Sequence, residues 1–266
     1  MNSLTPTTGP DGGYLALSNF GVPPVSGVGD DTITNFNVPT FFYGGEPYTS
    51  IGVVSNGYVV VGGGTSSDIV FTPQHFPNAA RPNNTVAPLW TDLNPSASGG
   101  GNIKVATLND GNPNAALRHT WLVVDYHAVK NFGNATTHSF EIWVQLASGG
   151  AGTGPASEQV TFSYAPNTTF PGDGGGLGNA GLGDPDSGQN WGAENRDGSS
   201  GANIATAPAN GSEFLLHTTP PTAGGSVSIP FDIFSKLAGI FHSDATMTSD
   251  QTTGVTVAPV TLTVTP

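Results

Sequence analysis

The sequence predicts an all-β protein: a large antiparallel β-sandwich of jelly-roll-like character followed by a small immunoglobulin-like sandwich. Three observations predict it. Thr, Val, Ser, Asn, Gly and Pro dominate, with Gly 38 and Pro 22 in 266 residues, while the Glu and Lys that helices favour are scarce. Period-two alternation of apolar and polar residues recurs from end to end. A hydrophobic share of 36%, with 14 Phe, 6 Tyr and 4 Trp, supplies cores that a disordered Gly/Pro-rich chain lacks.

The elements follow in order. Ile51-Gly-Val53-Val-Ser55 and Tyr58-Val-Val-Val61 flank Asn56-Gly57, which predicts a hairpin whose two central residues both want positive φ. Thr120-Trp-Leu122-Val-Val124-Asp-Tyr126 is apolar on both faces, as in a central strand buried on both sides. In Phe140-Glu-Ile142-Trp-Val144-Gln-Leu146 one face is apolar and the other carries Glu141, Trp143 and Gln145. Val160-Thr-Phe162-Ser-Tyr164 repeats that pattern. A Gly-rich stretch at about 166–189 is too permissive for regular structure and reads as a long loop. A composition break at Thr218-Thr-Pro220-Pro221 suggests two domains, 1–211 and 212–266. Beyond it Val227, Ile229, Phe231 and Ile233 alternate, and the alternation runs on through Phe241 to Met247, favouring strand over a helix at 233–241. The chain closes on a strand-like Val260-Thr-Leu262-Thr-Val264.

Charge narrows the function classes. The net charge is −13 with six basic residues, so nothing in the chain matches a nucleic-acid backbone. No run approaches the ~20 apolar residues that span a bilayer, so no membrane insertion is expected. With Cys 0 there is neither a disulfide nor a thiolate metal site. No leader-like segment opens the chain, so an exported protein is expected here as a mature form or a fragment.

Two blocks carry a family resemblance. Phe42-Tyr43-Gly44 through Ser55-Asn56-Gly57-Tyr58, and then Asn84-Thr-Val86-Ala87-Pro88-Leu89-Trp90-Thr-Asp92, resemble nidogen-like extracellular β domains. The pattern is also similar to the non-catalytic region C-terminal to the protease domain of secreted bacterial subtilisin-like proteases. The residues concerned are Gly12-Gly13-Tyr14, Ile33-Thr-Asn35-Phe36, Trp90-Thr-Asp92-Leu93-Asn94-Pro95 and Gly192-Ala-Glu194-Asn195-Arg196, with an immunoglobulin-like tail from Pro220. The resemblance implies a nidogen-like sandwich in a secreted or cell-surface accessory region.

The chemistry-bearing residues fit that expectation. Gly64-Thr65-Ser66 echoes a subtilase serine motif but lies beside no histidine or aspartate block that would activate it. The histidines His75, His119, His127, His138, His217 and His242 lack metal-ligand spacing. Asp92, Asp125, Glu141 and Glu194 are the carboxylates a glycosidase would draw on. Asp92 and Glu194 read instead as loop-fixing acceptors of backbone N–H groups, and Glu141 as a solvated or cross-strand-paired residue. Calcium is the expected ion, on Asp30, Asp31, Asp173, Asp184 and Asp186, which set carboxylates in Gly-rich turns. Trp143 and Trp191 are the candidate sugar-stacking faces, with a sheet buried on both sides the preferred reading of Trp143, and Trp90 is assigned to the core. The sequence is therefore expected to encode a non-catalytic binding or spacer module. Its expected partner is a protein or polysaccharide surface, with self-association in a filament and a carbohydrate-active enzyme as rival readings.

Overall fold

In a computed structural model the described residues are 3–7, 13–133, 135–147, 158–166, 190–204, 208–217, 239–243, 246–249, 252–256 and 260–264. The chain divides into two compact units, Met1–Pro221 and Thr222–Pro266. The first unit contains β1 (Ser3–Thr7), β2 (Ile33–Tyr43), β3 (Glu46–Val54), β4 (Tyr58–Val61), β5 (Thr85–Trp90) and β6 (Asn102–Asn109). These are followed by β7 (Thr120–Lys130), β8 (Thr137–Gln145), β9 (Val160–Tyr164), β10 (Asn190–Glu194), β11 (Gly201–Asn203) and β12 (Glu213–His217).

These strands form two six-stranded antiparallel sheets. Sheet one runs β1-β12-β9-β8-β7-β6 and sheet two runs β11-β10-β5-β4-β3-β2. The β-sandwich expected from the alternation is the structure observed. Between the sheets lie Phe41, Ile51, Val53, Val61 and Trp191 from sheet two, against Leu122, Val124, Phe140, Ile142 and Phe162 from sheet one. Two tyrosines tie the layers together. Tyr126 Oη donates to the Val54 and Tyr58 carbonyls at 2.7 and 3.0 Å, and Tyr164 Oη to the Pro88 carbonyl at 2.5 Å. Each satisfies a buried hydroxyl on a buried carbonyl, so neither polar group is left desolvated and unbonded.

Part of each sheet's outer face is buried as well. Outside sheet two, Val54, Tyr58, Val60, Phe76, Ala87 and Trp90 pack under the long β4–β5 connection. Outside sheet one, Leu17, Trp121, Val123 and Trp143 pack together with Leu15 and Val22 of the segment preceding β2. This explains why β7 is apolar on both faces, as its sequence predicted.

Three expectations are corrected. The strand Glu213–His217 pairs with β1 and β9, so the first unit extends past the expected boundary at 211. The hairpin at Asn56-Gly57 is a three-residue connection, with Val54 opposite Tyr58 and only Gly57 in the left-handed region, at φ 86°. Asn56 is there as a clamp. Its Nδ2 donates to Asp31 Oδ1 at 2.8 Å, and its Oδ1 accepts from Leu93 N at 3.0 Å. Gly57 is required because a Cβ would collide with the Leu89 carbonyl oxygen. Glu141, finally, is fully buried rather than solvated.

The second unit shows β13 (Gly239–Ser243), β14 (Thr246–Ser249), β15 (Thr252–Thr256) and β16 (Val260–Val264). They pair antiparallel as β13-β16 and β14-β15. Strand at 239–243 agrees with the preference for strand over helix. The alternation of Val227 to Ile233 and the Gly-rich loop at about 166–189 lie outside the described residues.

Candidate functional site

At one end of sheet two a groove crosses the tips of four neighbouring strands, with a cavity of about 450 Å³. Its lining comes from Tyr48 near the start of β3, Val60 to Gly63 at the end of β4, Asn83 and Asn84 just before β5, and Arg196 just after β10. Asp68 and Arg81 complete it from the β4–β5 connection.

Local chemistry fixes each part. Ser66–Asp68 is a 3-10 turn with a capping box: Thr65 Oγ1 accepts from Ser67 N at 3.3 Å, and Asp68 Oδ2 accepts from Thr65 N at 2.7 Å. The Asp68 carboxylate is then gripped by Arg81 on two sides, Nε to Oδ1 at 2.7 Å and Nη2 to Oδ2 at 2.5 Å. Burial works to raise the Asp68 pKa, but the Arg81 guanidinium and the Thr65 donors outweigh it and hold the carboxyl below its usual value. This aspartate belongs to a cap and an ion pair. On β2, Asn35 holds the chain just before this turn, donating to the Gly64 carbonyl and accepting from Gly64 N, both at 2.9 Å.

The Glu194–Arg196 segment holds the other wall. Fully buried Glu194 accepts from Asn78 N at 2.9 Å, and the Asn195 carbonyl accepts from Asn84 N at 3.0 Å. These bonds pin the 76–84 segment, and with it Arg81, Asn83 and Asn84. Glu194 therefore fixes a loop through a backbone N–H, as its sequence block predicted. Its burial raises the carboxyl pKa to about 7. Arg196 reaches Glu46 at 3.5 Å, and Tyr48 Oη donates to the same Glu46 carboxylate at 2.9 Å. Burial is the main reason the Tyr48 hydroxyl stays protonated, with its pKa pushed up to about 12.

The other carboxylate candidates lie on the outer face of sheet one. Asp125 and Glu141 stand directly opposite each other on β7 and β8, and both are fully buried. Asp125 accepts from Tyr14 Oη at 2.8 Å and Leu17 N at 3.0 Å. Glu141 accepts from Leu15 N and from Trp143 Nε1, both at 3.0 Å. They fasten the segment that covers this face. Burial raises the Asp125 pKa against the lowering effect of its donors. Asp92 contributes a backbone carbonyl that accepts from Phe132 N at 2.9 Å.

The stacking expectation is corrected by burial. Trp191 is 0% exposed in the inter-sheet core and Trp143 is 2% exposed beneath Leu17 and against Trp121, so neither indole offers a face to a ligand. Trp90 is core, as expected, with Nε1 donating to the Val70 carbonyl at 2.8 Å. Asp30 and Asp31 adjoin the β3–β4 hairpin, where Ser55 Oγ donates to the Asp30 carbonyl and Asp31 holds Asn56. Asp173, Asp184 and Asp186 lie outside the described residues. Among the described residues no three His, Cys, Asp or Glu side chains converge as metal ligands. The histidines have separate partners: His138 meets Asn131, His119 meets Asp110, and His127 meets Tyr14.

Sequence reasoning missed the groove, although a signal existed. The chain has three arginines, and two of them, Arg81 and Arg196, stand in it.

The fold is an antiparallel two-sheet β-sandwich with a polar groove at one end of sheet two. The profile of the NIDO-related family matches residues 11–217, and the chain belongs to that family. The matched span takes in the strands of both sheets except β1, from the Tyr14 segment to β12. No curated protein and no solved structure matches the chain.

Proposed function

We propose that this chain is a non-catalytic extracellular or cell-surface binding module, accessory to a secreted hydrolase, that attaches to a protein or polysaccharide surface. The observation that carries the reading is the groove across β3, β4, β5 and β10, the polar concavity of a domain whose buried carboxylates hold backbone instead of facing solvent. The small immunoglobulin-like unit acts as a spacer in this reading, and calcium is its structural ion.

Co-sedimentation of the full chain with insoluble polysaccharides and bacterial cell envelopes, run beside a glycan and peptide hydrolysis panel, tests it. Pelleting without turnover is expected. Turnover that disappears in Asp125→Asn or Glu194→Gln would establish a carbohydrate-active enzyme instead. Scattering that rises with protein concentration would favour a filament subunit. For calcium, a ligand bound only by the folded state raises the melting midpoint. The midpoint is expected to rise in calcium and fall in chelator, and an unchanged value removes the ion.

A further inference from the structure

The groove at the end of sheet two turns positive charge outward in a chain whose net charge is −13. From this arrangement we infer that it is a binding site for the carboxylate of an acidic saccharide, a hexuronate residue of a polysaccharide. The inference rests on the module reading above and names the ligand class of that site.

The lining sets one carboxylate, Asp68, against two guanidiniums, Arg81 and Arg196. These are two of the three arginines in the chain. The acids that meet them are withdrawn from the surface. The Asp68 side chain is 3% exposed where that of Arg81 is 57% exposed. Glu46 is 17% exposed where Arg196 is 51% exposed, at a contact of 3.5 Å. Both cations therefore face outward, and a ligand entering the groove meets guanidinium before carboxylate. Two other donors of the lining are spent within the fold, Tyr48 Oη on Glu46 and Asn84 Nδ2 on the Val61 carbonyl.

Arg81 is also set in place before any ligand arrives. Its Nε and Nη2 are engaged by Asp68 and Thr65, which fixes the guanidinium plane and leaves Nη1 outside those bonds. Guanidinium and carboxylate are both planar and pair through charge-assisted N–H···O bonds, roughly twice as strong as neutral ones. The charge count favours an anion of one unit. Asp68 and Glu46 already balance the two arginines, so a dianion such as phosphate meets twice the repulsion of a single carboxylate. Charges more than about 8 Å away are screened at physiological ionic strength, so the local guanidiniums govern the encounter despite the acidic chain. The cavity of about 450 Å³ lies in the range of small-molecule sites. In the module reading the partner is a polysaccharide, and uronate residues are where a polysaccharide carries carboxylates.

The test is a titration of the isotope-labelled full chain with galacturonate and digalacturonate, followed by amide chemical shifts. Galactose, the methyl ester of galacturonate, inorganic phosphate and an acetylated dipeptide with a free carboxylate are titrated beside them. The uronates are expected to give saturable shifts at residues 61–63, 83–84 and 196, and to bind more weakly as sodium chloride is raised. Arg196→Gln removes one exposed cation, and Arg81→Lys keeps a charge for Asp68 but loses the fork. Each is expected to weaken uronate binding about tenfold. Melting midpoints show that the variants are folded, and Arg196→Gln decides alone if Arg81→Lys does not fold. The inference is overturned if neither uronate gives saturable shifts there or if Arg196→Gln binds as the parent does. It is equally overturned if galactose, the ester, phosphate or the dipeptide binds the groove as tightly as the uronates. Polysaccharide co-sedimentation separates the two readings. Pelleting with cellulose or chitin but no uronate shifts leaves the module reading standing and removes the groove, whereas no pelleting and no shifts remove both.

Discussion

The two outer faces of the sandwich face the same problem and are covered by different segments with a shared fastening. On sheet one the cover is the segment Tyr14 to Leu17, held by Asp125 and Glu141. On sheet two it is the β4–β5 connection, held by Glu194 through Asn78 N. In each case a carboxylate on the outer side of a strand takes a backbone N–H from the covering chain. The difference lies in how many donors each carboxylate receives. Asp125 has a phenol and an amide, whereas Glu194 has one amide, and its Oε1 is buried with no partner among the described residues. Burial raises the pKa of both. Glu194, with only the Asn78 amide opposing burial, is carried to about 7. A buried carboxylate on this sandwich is therefore first a clamp, and the donors around it set its charge.

The comparison is broken most severely by emptying the space under each cover. Trp90→Ala and Trp143→Ala are each expected to cost about 3–5 kcal/mol in chemical denaturation, because both indoles are buried and both Nε1 groups are bonded. Similar losses make both outer faces true cores. A loss below about 1 kcal/mol at Trp143 alone would show that the Tyr14–Leu17 cover is loosely seated.

The next effect depends on pH. Because the folded pKa of Glu194 lies above its ordinary value of 4.5, the folded state binds its proton more readily than the unfolded one. Its contribution is fully present below about 4.5 and is lost as pH rises through about 7, a change on the order of 3 kcal/mol. Glu194→Gln keeps an acceptor for Asn78 N and is expected to flatten the profile of melting midpoint against pH across that interval. A profile as steep as the parent's would place the titration elsewhere.

The smallest change sharpens the donor argument. Tyr14→Phe removes one of the two donors to Asp125 and is expected to cost about 1–2 kcal/mol by denaturant titration. Burial dominates the rise in the Tyr14 pKa, with the neighbouring Asp125 charge adding to it, so the hydroxyl is a constant donor over the accessible pH range. No measurable loss would mean that Leu17 N alone holds Asp125.

Much of the framework was legible in the residues. Strand after strand followed from alternation, because period two is a local property of the pleated backbone. The double-sided burial of β7 followed from its unbroken apolar run, and the clamp role of Glu194 from the block in which it stands. What misled was the outward alternation of Glu141 read as solvation: it shares a face with Trp143 and Gln145, and that face is buried. Asn56-Gly57 misled in a similar way, since Asn56 serves through its amide and not through a left-handed backbone.

The sequence by itself determined that this protein is an antiparallel sandwich of acidic surface, which residues share each strand face, and that the nidogen-like blocks are present. Only the tertiary structure decided what covers each face, where the first unit ends and which side chains gather at the groove. The fastening bonds explain why: Leu15 meets Glu141 across 126 positions, Leu17 meets Asp125 across 108, and Asn78 meets Glu194 across 116. A strand's period specifies its two sides locally, but what lies against each side is set by segments that meet only when the sheets close.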